Sequence, residues 1–334
     1  MLDVRRLRLL RDLAHLGTIA AVAQAHAYTP SAVSQQLAAL QREAGVPLLE
    51  HTGRSVTLTP AATALVEHTE TILSALEAAE ATLAAARTGL SGTVRIGAFP
   101  SAVPTLLPAA LVALGRDHPA LDLMVTELDP VDMPDALRDG RLDVALWHDY
   151  DIAPVEPDPG VDSVPLLDEK VFLAVPAGRR LDGTIAGTRD ADWVVGTPGT
   201  LCHTVAMRVC QAAGFTARVR HHADDFTAVL ALVAAGQGVA LVPELGATHP
   251  PADVRLVPLD VHRRTRIAYR RGAAAHPVVA ACVTALESST ASYLAAPAPG
   301  CAGRSVGDHP ETMARNASTS PMTSSAWSGL RWRR

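Results

Sequence analysis

The chain has 334 residues, 48% of them hydrophobic but only 4% aromatic, and a formal net charge of −5. That length supports two or three domains with cores of Ala, Val and Leu, while the acidic balance excludes a protein that coats nucleic acid over its whole surface. Arg5, Arg6, Arg8, Arg11 and Asp12 interrupt any opening apolar run, and the longest uncharged apolar stretch, 227–243, is too short to span a membrane, so a soluble, cytoplasmic protein with no membrane partner is expected.

Residues 4–16 read as an amphipathic helix with Leu7, Leu10 and Leu13 on one face. Thr18 then caps a short helix whose apolar stripe is Ile19, Val22 and Ala23. His26-Ala27-Tyr28 breaks the pattern. Thr29 offers a second cap, with Pro30 at the first helical position, where its missing N–H costs nothing. Ala32, Val33, Leu37 and Leu40 give this helix a buried face, and Ser31, Ser34, Gln35 and Gln36 project from its first turns. Hydroxyl and amide side chains placed there suit base edges and phosphates in a major groove. Residues 48–59 alternate around Thr52-Gly53-Arg54, a hairpin signature. Residues 1–60 therefore read as a winged helix-turn-helix, with the motif at about 18–37. They hold six arginines against four acids, a local net of +2. The candidate DNA contacts are Thr18, Tyr28, Thr29, Ser31, Ser34 and Gln35, with Arg54 on the wing for phosphate. Capping alone would also account for Thr18 and Thr29, and a solvated surface for Ser34 and Gln35.

A long helix follows over about 60–87. Leu65, Thr69, Ile72, Leu76, Ala79, Leu83 and Ala86 form a heptad seam flanked by Glu67, Glu70, Glu77 and Glu80. The seam reads as a dimerisation helix (61–90), the alternative being packing within its own chain. Beyond it the pattern alternates between strands and helices, so the remainder is α/β with a mostly parallel sheet. Strands are expected at 93–98, 121–126 and 143–147, with helices at 103–117 and 131–139. The second series has strands at 171–175, 193–195, 217–221 and 239–242, helices at 200–213 and 225–235, two further strands within 254–269 and a closing helix at 276–294. This gives a ligand-binding body over 92–296. One half comprises 92–165 with 269–296 and the other 166–268, which implies a cleft between them. Ser101 and Ala102 follow the first strand, and Thr197 and Thr200 hold the matching turn in the second half. Either hydroxyl, Ser101 or Thr200, can cap a helix. Beside free N–H groups each would also bind a carboxylate, so an organic anion is the expected ligand. Trp147 and Phe226 are scarce aromatics near the inferred cleft, with core packing as the alternative.

No cofactor, metal or catalytic residue is expected. Cys202, Cys210, Cys282 and Cys301 lack zinc-site spacing and read as buried small hydrophobes plus one tail cysteine. His221 and His222 are adjacent on a strand and point to opposite faces. Neither a GxSxG nor a GxGxxG motif occurs. Residues 297–334 are rich in Pro, Gly, Ser and Thr and read as a disordered, inert tail ending in Trp327, Arg331, Trp332, Arg333 and Arg334.

Three blocks carry a resemblance. The first is the spacing of Thr29-Pro30-Ser31-Ala32-Val33-Ser34-Gln35-Gln36-Leu37, Leu40, Gly45-Val46-Pro47-Leu48-Leu49-Glu50, Gly53-Arg54 and Leu58-Thr59-Pro60. The others are Leu137-Arg138-Asp139-Gly140-Arg141-Leu142-Asp143-Val144-Ala145-Leu146 and Ala234-Ala235-Gly236-Gln237-Gly238-Val239-Ala240-Leu241-Val242-Pro243. In these the chain resembles the LysR-type transcriptional regulators, over about 2–294. The resemblance implies a homodimer or homotetramer held by a linker-helix coiled coil and bound to double-stranded DNA. It also implies a body resembling type 2 periplasmic binding proteins, in whose cleft a small-molecule effector modulates promoter binding. His51 departs from the family, which often has Arg there, and Ala62 stands where Gly is common. The alternative reading is a solute-binding protein of periplasmic-binding-protein type, without enzymatic activity.

Overall fold

The structure is a computed structural model that describes residues 1–52, 55–87, 89–179 and 183–295. Its N-terminal head is built on three helices, α1 (Val4–Leu16), α2 (Ile19–Ala25) and α3 (Pro30–Ala44). Thr18 and Thr29 cap α2 and α3 as their side chains require, and Pro30 lies in the first turn of α3. Leu7, Leu10, Val22, Val33, Leu37 and Leu40 close the core. Between α2 and α3, Ala27 takes a φ of +52°, a left-handed conformation that lets the chain reverse within a few residues. Strands β1 (Leu49–Thr52) and β2 (Ser55–Leu58) pair as the wing. The Gln41 side-chain carbonyl accepts the N–H groups of Leu48 and Leu49 at 3.0 and 3.1 Å, tying the wing to α3. Arg54 and the 297–334 tail, with Cys301, lie outside the described residues.

Helix α4 (Pro60–Ala85) starts on the Thr59 cap. The expected seam divides along its length. Leu65 and Ile72 pack on the head core and Thr69 is buried, whereas Leu76 and Leu83 are 43% and 71% exposed. Glu70 and Glu77, expected to flank the seam, belong to a second stripe at 70, 74, 77 and 81 that faces the rest of the chain. Glu70 and Ala81 are buried, Glu77 pairs with Arg270 at 2.9 Å, and Ser74 abuts Gly272. This stripe has heptad spacing too, but two of its members are charged and one is a hydroxyl, so a search for apolar periodicity passes over it.

The body comprises β3 (Gly92–Ala98), α5 (Leu107–Asp117), β4 (Leu121–Glu127), α6 (Met133–Arg138), β5 (Val144–Tyr150), β6 (Val161–Pro176), β7 (Asp192–Val195), α7 (Leu201–Ala212), β8 (Arg218–His222), α8 (Phe226–Ala234), β9 (Ala240–Pro243), β10 (Val254–Arg270) and α9 (Pro277–Ala295). A six-stranded sheet runs β4-β3-β5-β10-β6-β9, and β7 pairs with β8 beside it. β3 is parallel to β4 and β5, while β10 is antiparallel to β5 and β6. The first lobe uses one end of β6 and β10 and the second lobe the other, so both strands cross between lobes without a break. The two strands expected in 254–269 are thus one, with its pairing shifted between Pro258 and His262. Likewise β6 begins ten residues before the expected strand. Pro165 and the run of charges at 168–170 argue against a strand there, and the structure accommodates Pro165 beside the register shift opposite Arg266. The expected helix at 103–117 starts only at Leu107, after a turn. Helix α9 is long and apolar enough by composition to cross a membrane, yet Cys282 and Leu286 are buried and the Ser289 hydroxyl donates to the Leu106 carbonyl at 2.6 Å. Its apolar face is core.

Gly272, at φ +93°, is where the body meets α4. A Cβ there would lie 2.3 Å from the Ser74 carbonyl oxygen. Gly272→Ala should therefore cost about 2 kcal/mol or more, from left-handed strain and overpacking together. Urea unfolding of the variant against wild type measures this.

Candidate functional site

Two surfaces gather the singled-out residues. On the head, Ser31, Ser34 and Gln35 form the exposed arc of α3 opposite Val33, Leu37 and Leu40. The Ser34 hydroxyl donates back to the Pro30 carbonyl at 2.9 Å, and the Thr18 and Thr29 hydroxyls accept the N–H groups of Ala21 and Ala32. Tyr28 is 53% exposed and its ring stacks on His26, 6.0 Å between centroids. His26 in turn is 2.5 Å from the Asp12 carboxylate, so the turn holds Tyr28 at the start of α3. Gln36, which projects beside this arc, is engaged by the Arg6 guanidinium at 2.9 Å. The positive charge of the head is smaller than its arginine count suggests. Arg11 is buried against Asp12 and Glu70, and Arg6 pairs with Glu43. Arg5, Arg8 and Arg42 remain exposed. Burial opposes ionisation of Glu70, but the hydrogen bond from His15 and the charges of Arg11, His15 and Arg138 outweigh it and hold its carboxyl low.

The second surface is the cleft between the lobes. Its centre is Arg263 of β10, 1% exposed, which pairs with Glu169 of β6 at 2.7 Å. The second Glu169 oxygen accepts the Leu245 N–H at 2.7 Å, and Arg263 also donates to the Ser101 hydroxyl at 3.0 Å. The guanidinium lies 4.7 Å from the Phe99 ring centroid. His148 stands edge-on to both Phe99 and Tyr150, and its Nδ1 has no hydrogen-bond partner among the described residues. Burial, reinforced by the Arg263 charge, drives its pKa well below the usual imidazole value, so the ring is neutral. The Tyr150 hydroxyl reaches the Cys202 thiol of α7 at 3.8 Å, a contact between lobes.

At the start of α7, Thr200 caps the helix by accepting the His203 N–H at 3.3 Å and donates to the Thr197 carbonyl at 2.8 Å. Thr197 gives its N–H and hydroxyl to Asp224 at 2.8 and 2.6 Å. Asp129, which follows β4 in the first lobe, accepts the Leu201 N–H at 3.4 Å. Burial raises the Asp129 carboxyl above its ordinary value, against the opposing N–H groups of Val131 and Leu201. The donors expected to hold an anion thus already hold two of the chain's own carboxylates. Phe226 packs over Gly246 and shares a small recess with Cys202 and Asp224.

Ser101 is therefore tied into the Arg263 network, while Thr197, Thr200 and Phe226 gather about the start of α7, where Phe226 shares its recess with Cys202 and Asp224. Two expected members lie elsewhere. Ala102 is buried in the core of the first lobe, and Trp147 lies on the opposite face of β5, where its indole N–H donates to the Pro130 carbonyl at 3.1 Å. Ser101 caps no helix, since α5 begins six residues later. His148, Tyr150, Glu169 and Arg263 were missed. Arg263 sits in a strand of alternating charges that reads as solvated, and its counter-ion is 94 residues away in sequence. His222 and His203 both approach the Gly196 carbonyl through Nδ1 at 3.0 Å, and the alternation of β8 turns His221 away from His222.

Residues 4–63 match the sequence profile described as "Bacterial regulatory helix-turn-helix protein, lysR family", and residues 87–291 that of the "LysR substrate binding domain". Over 219 residues the chain is 33% identical to a probable hydrogen peroxide-inducible genes activator of Mycobacterium avium, covering 64% of this chain and 69% of the relative. Over 248 residues it is 27% identical to the transcriptional dual regulator GltC of Bacillus subtilis, covering 73% and 81%. A cysteine mutant of OxyR from Corynebacterium glutamicum superposes with a TM-score of 0.52 at 23% identity, covering 88% of this chain and 93% of that one. A full-length BenM mutant gives 0.53 at 22%, covering 87% and 97%. These two likenesses are of fold.

The neutral His148 makes stability depend on pH. Its folded pKa is depressed, so the unfolded chain binds the extra proton. The contribution is complete above about pH 6.5 and is lost as pH falls below it, by about 1.4 kcal/mol per pH unit while the folded ring stays neutral. His148→Phe should remove that part of the acid sensitivity. Thermal unfolding at pH 7.5 and 5.5 should show a smaller drop in Tm for the variant than for wild type.

Proposed function

The chain belongs to the LysR family and is thus a DNA-binding transcriptional regulator with an effector-binding domain, and we propose that α3 reads its operator while the Arg263-centred cleft takes the effector. The observation that carries this is the pairing of a capped, exposed polar arc on α3 with a cleft in which both lobes contribute polar groups. In this reading residues 1–60 bind DNA, 61–90 link, and 92–296 form the effector domain. Tyr28, Thr29, Ser31, Ser34 and Gln35 face the major groove, Thr18 meets the backbone, and Arg54 on the wing adds a phosphate contact. The protein acts in the cytoplasm by binding rather than catalysis. The exposed stripe of Leu76, Ala79, Leu83 and Ala86 on α4 joins two copies.

The effector enters where Asp129 holds the Leu201 N–H. That bond is long, and a ligand carboxylate would offer the same helix terminus a better acceptor. Displacing Asp129 breaks a hydrogen bond between the lobes and so changes their relation. Several relatives are named for induction by hydrogen peroxide. Here burial raises the thiol pKa of Cys202, and those of Cys210 and Cys282 to about 12, which keeps these thiols protonated and favours response to binding over response to oxidation.

Gln35→Ala should relax selectivity at one operator base pair, costing about 1–3 kcal/mol on the cognate site. Arg54→Ala should weaken operator and random duplexes alike and reduce the salt slope by about one. Binding measured against salt concentration on both duplexes separates the two, and identical behaviour of the variants would overturn the assignment. Titration calorimetry with small carboxylic and amino acids tests the cleft: Thr200→Ala should weaken the responding acid at least tenfold, and unchanged affinity would move the effector elsewhere.

A further inference from the structure

Trp147 is the expected cleft residue that the fold sends elsewhere, and what it lines there is a site of its own. Along β5, His148 and Tyr150 face the cleft, so Trp147 and Asp149 face away. Strand pairing sets Arg266 of β10 directly opposite Trp147, and Arg264 opposite Asp149. Helix α6 and the 155–158 stretch stand over this patch and leave a pocket of about 270 Å³. Met133, Leu137, Trp147 and Val161 line it, the first two buried, and Val155, 41% exposed, adds an apolar edge.

The charges around the pocket are unevenly satisfied. Asp149 is held by both arms of Arg264 at 3.0 and 3.1 Å, and Asp158 is paired with Arg138. Glu156 is exposed at the mouth. Arg266, half-buried, donates through Nε to the Ser163 hydroxyl at 2.8 Å, which fixes its guanidinium, while its two terminal nitrogens have no partner among the described residues. An aromatic and aliphatic slot with one oriented guanidinium whose terminal N–H groups are open is a recognition site for a particular chemistry.

We propose that this pocket is a second small-molecule site, distinct from the inter-lobe cleft, for a compact ligand with a planar apolar body and a carboxylate. The body lies against Trp147 over Met133 and Leu137, and the carboxylate accepts the free N–H groups of Arg266. The pocket wall at Asp158 is paired with Arg138.

The test titrates the full chain with phenylacetate and with benzylamine, one ring with opposite charges, following tryptophan emission. Phenylacetate should saturate and benzylamine should not. Arg266→Gln should weaken phenylacetate at least tenfold, and Arg266→Lys, which keeps the charge but loses the fork, by less. Thr200→Ala, in the cleft, should leave phenylacetate affinity within twofold, so failure here and failure of the cleft reading are told apart. The proposal is overturned if phenylacetate does not saturate, if benzylamine binds as well, if both Arg266 variants bind as wild type does, or if Thr200→Ala abolishes the signal.

Discussion

The buried pair of Arg263 and Glu169 is the constraint around which the body is arranged. Each residue comes from one of the two strands that cross between lobes, and each makes a further hydrogen bond to a segment outside them: Arg263 to Ser101, Glu169 to the Leu245 N–H. Burial alone would disfavour the cation, but the Glu169 carboxylate opposite it keeps the guanidinium charged. Such a pair adds little net stability compared with apolar packing, yet removing one partner leaves a buried charge and costs about 3–5 kcal/mol. Its value is positional. A charge that must be met by specific groups on both sides fixes how β6, β10, Ser101 and the 244–246 turn come together, and it leaves His148 buried beside a cation, which holds its imidazole in the neutral form.

The head is tied to the same body through charges of a different kind. Glu70 receives Arg11 and His15 from α1 and feels Arg138 from the end of α6, while Glu77 meets Arg270 at the end of β10. A linker helix with a charged stripe toward the body and an exposed leucine stripe on another face can serve two partners at once. The Glu77–Arg270 pair is partly open to water and is readily exchanged for it, whereas Glu70 and Arg11 are buried together, so separating them leaves an uncompensated charge.

Local rules made the head legible from sequence. Thr18 and Thr29 are caps because a threonine before an apolar period satisfies a free N–H, and Pro30 marks a first turn; each signal lies within four residues of its effect. The strands at 93–98, 121–126 and 193–195 were legible for the same reason. Their pairing was not: a mostly parallel sheet was expected, but β10 and β6 pair antiparallel with their neighbours through partners far away in sequence. Nor was the interior of the cleft. Arg263, Glu169 and Asp129 earn their roles from partners 72 to 162 residues distant, and a charged residue in a strand carries no mark of the counter-ion that will bury it. Trp147 failed on parity: one residue along a strand reverses the face, and the expected cleft position belonged to His148. Likewise, the early part of β6 was hidden by Pro165, a residue that breaks most strands and here sits at a pairing irregularity.

That irregularity has a mechanical meaning. The lobes are joined by β6 and β10 as continuous ladders, with no loop between them, so the connection is a stiff two-stranded ribbon. Stiffness in such a ribbon comes from its regular donors. Pro165 and Pro258 supply none, and the pairing shifts next to both. Each point, one on each strand, is thus a place where the ribbon gives up ladder hydrogen bonds and resists bending least.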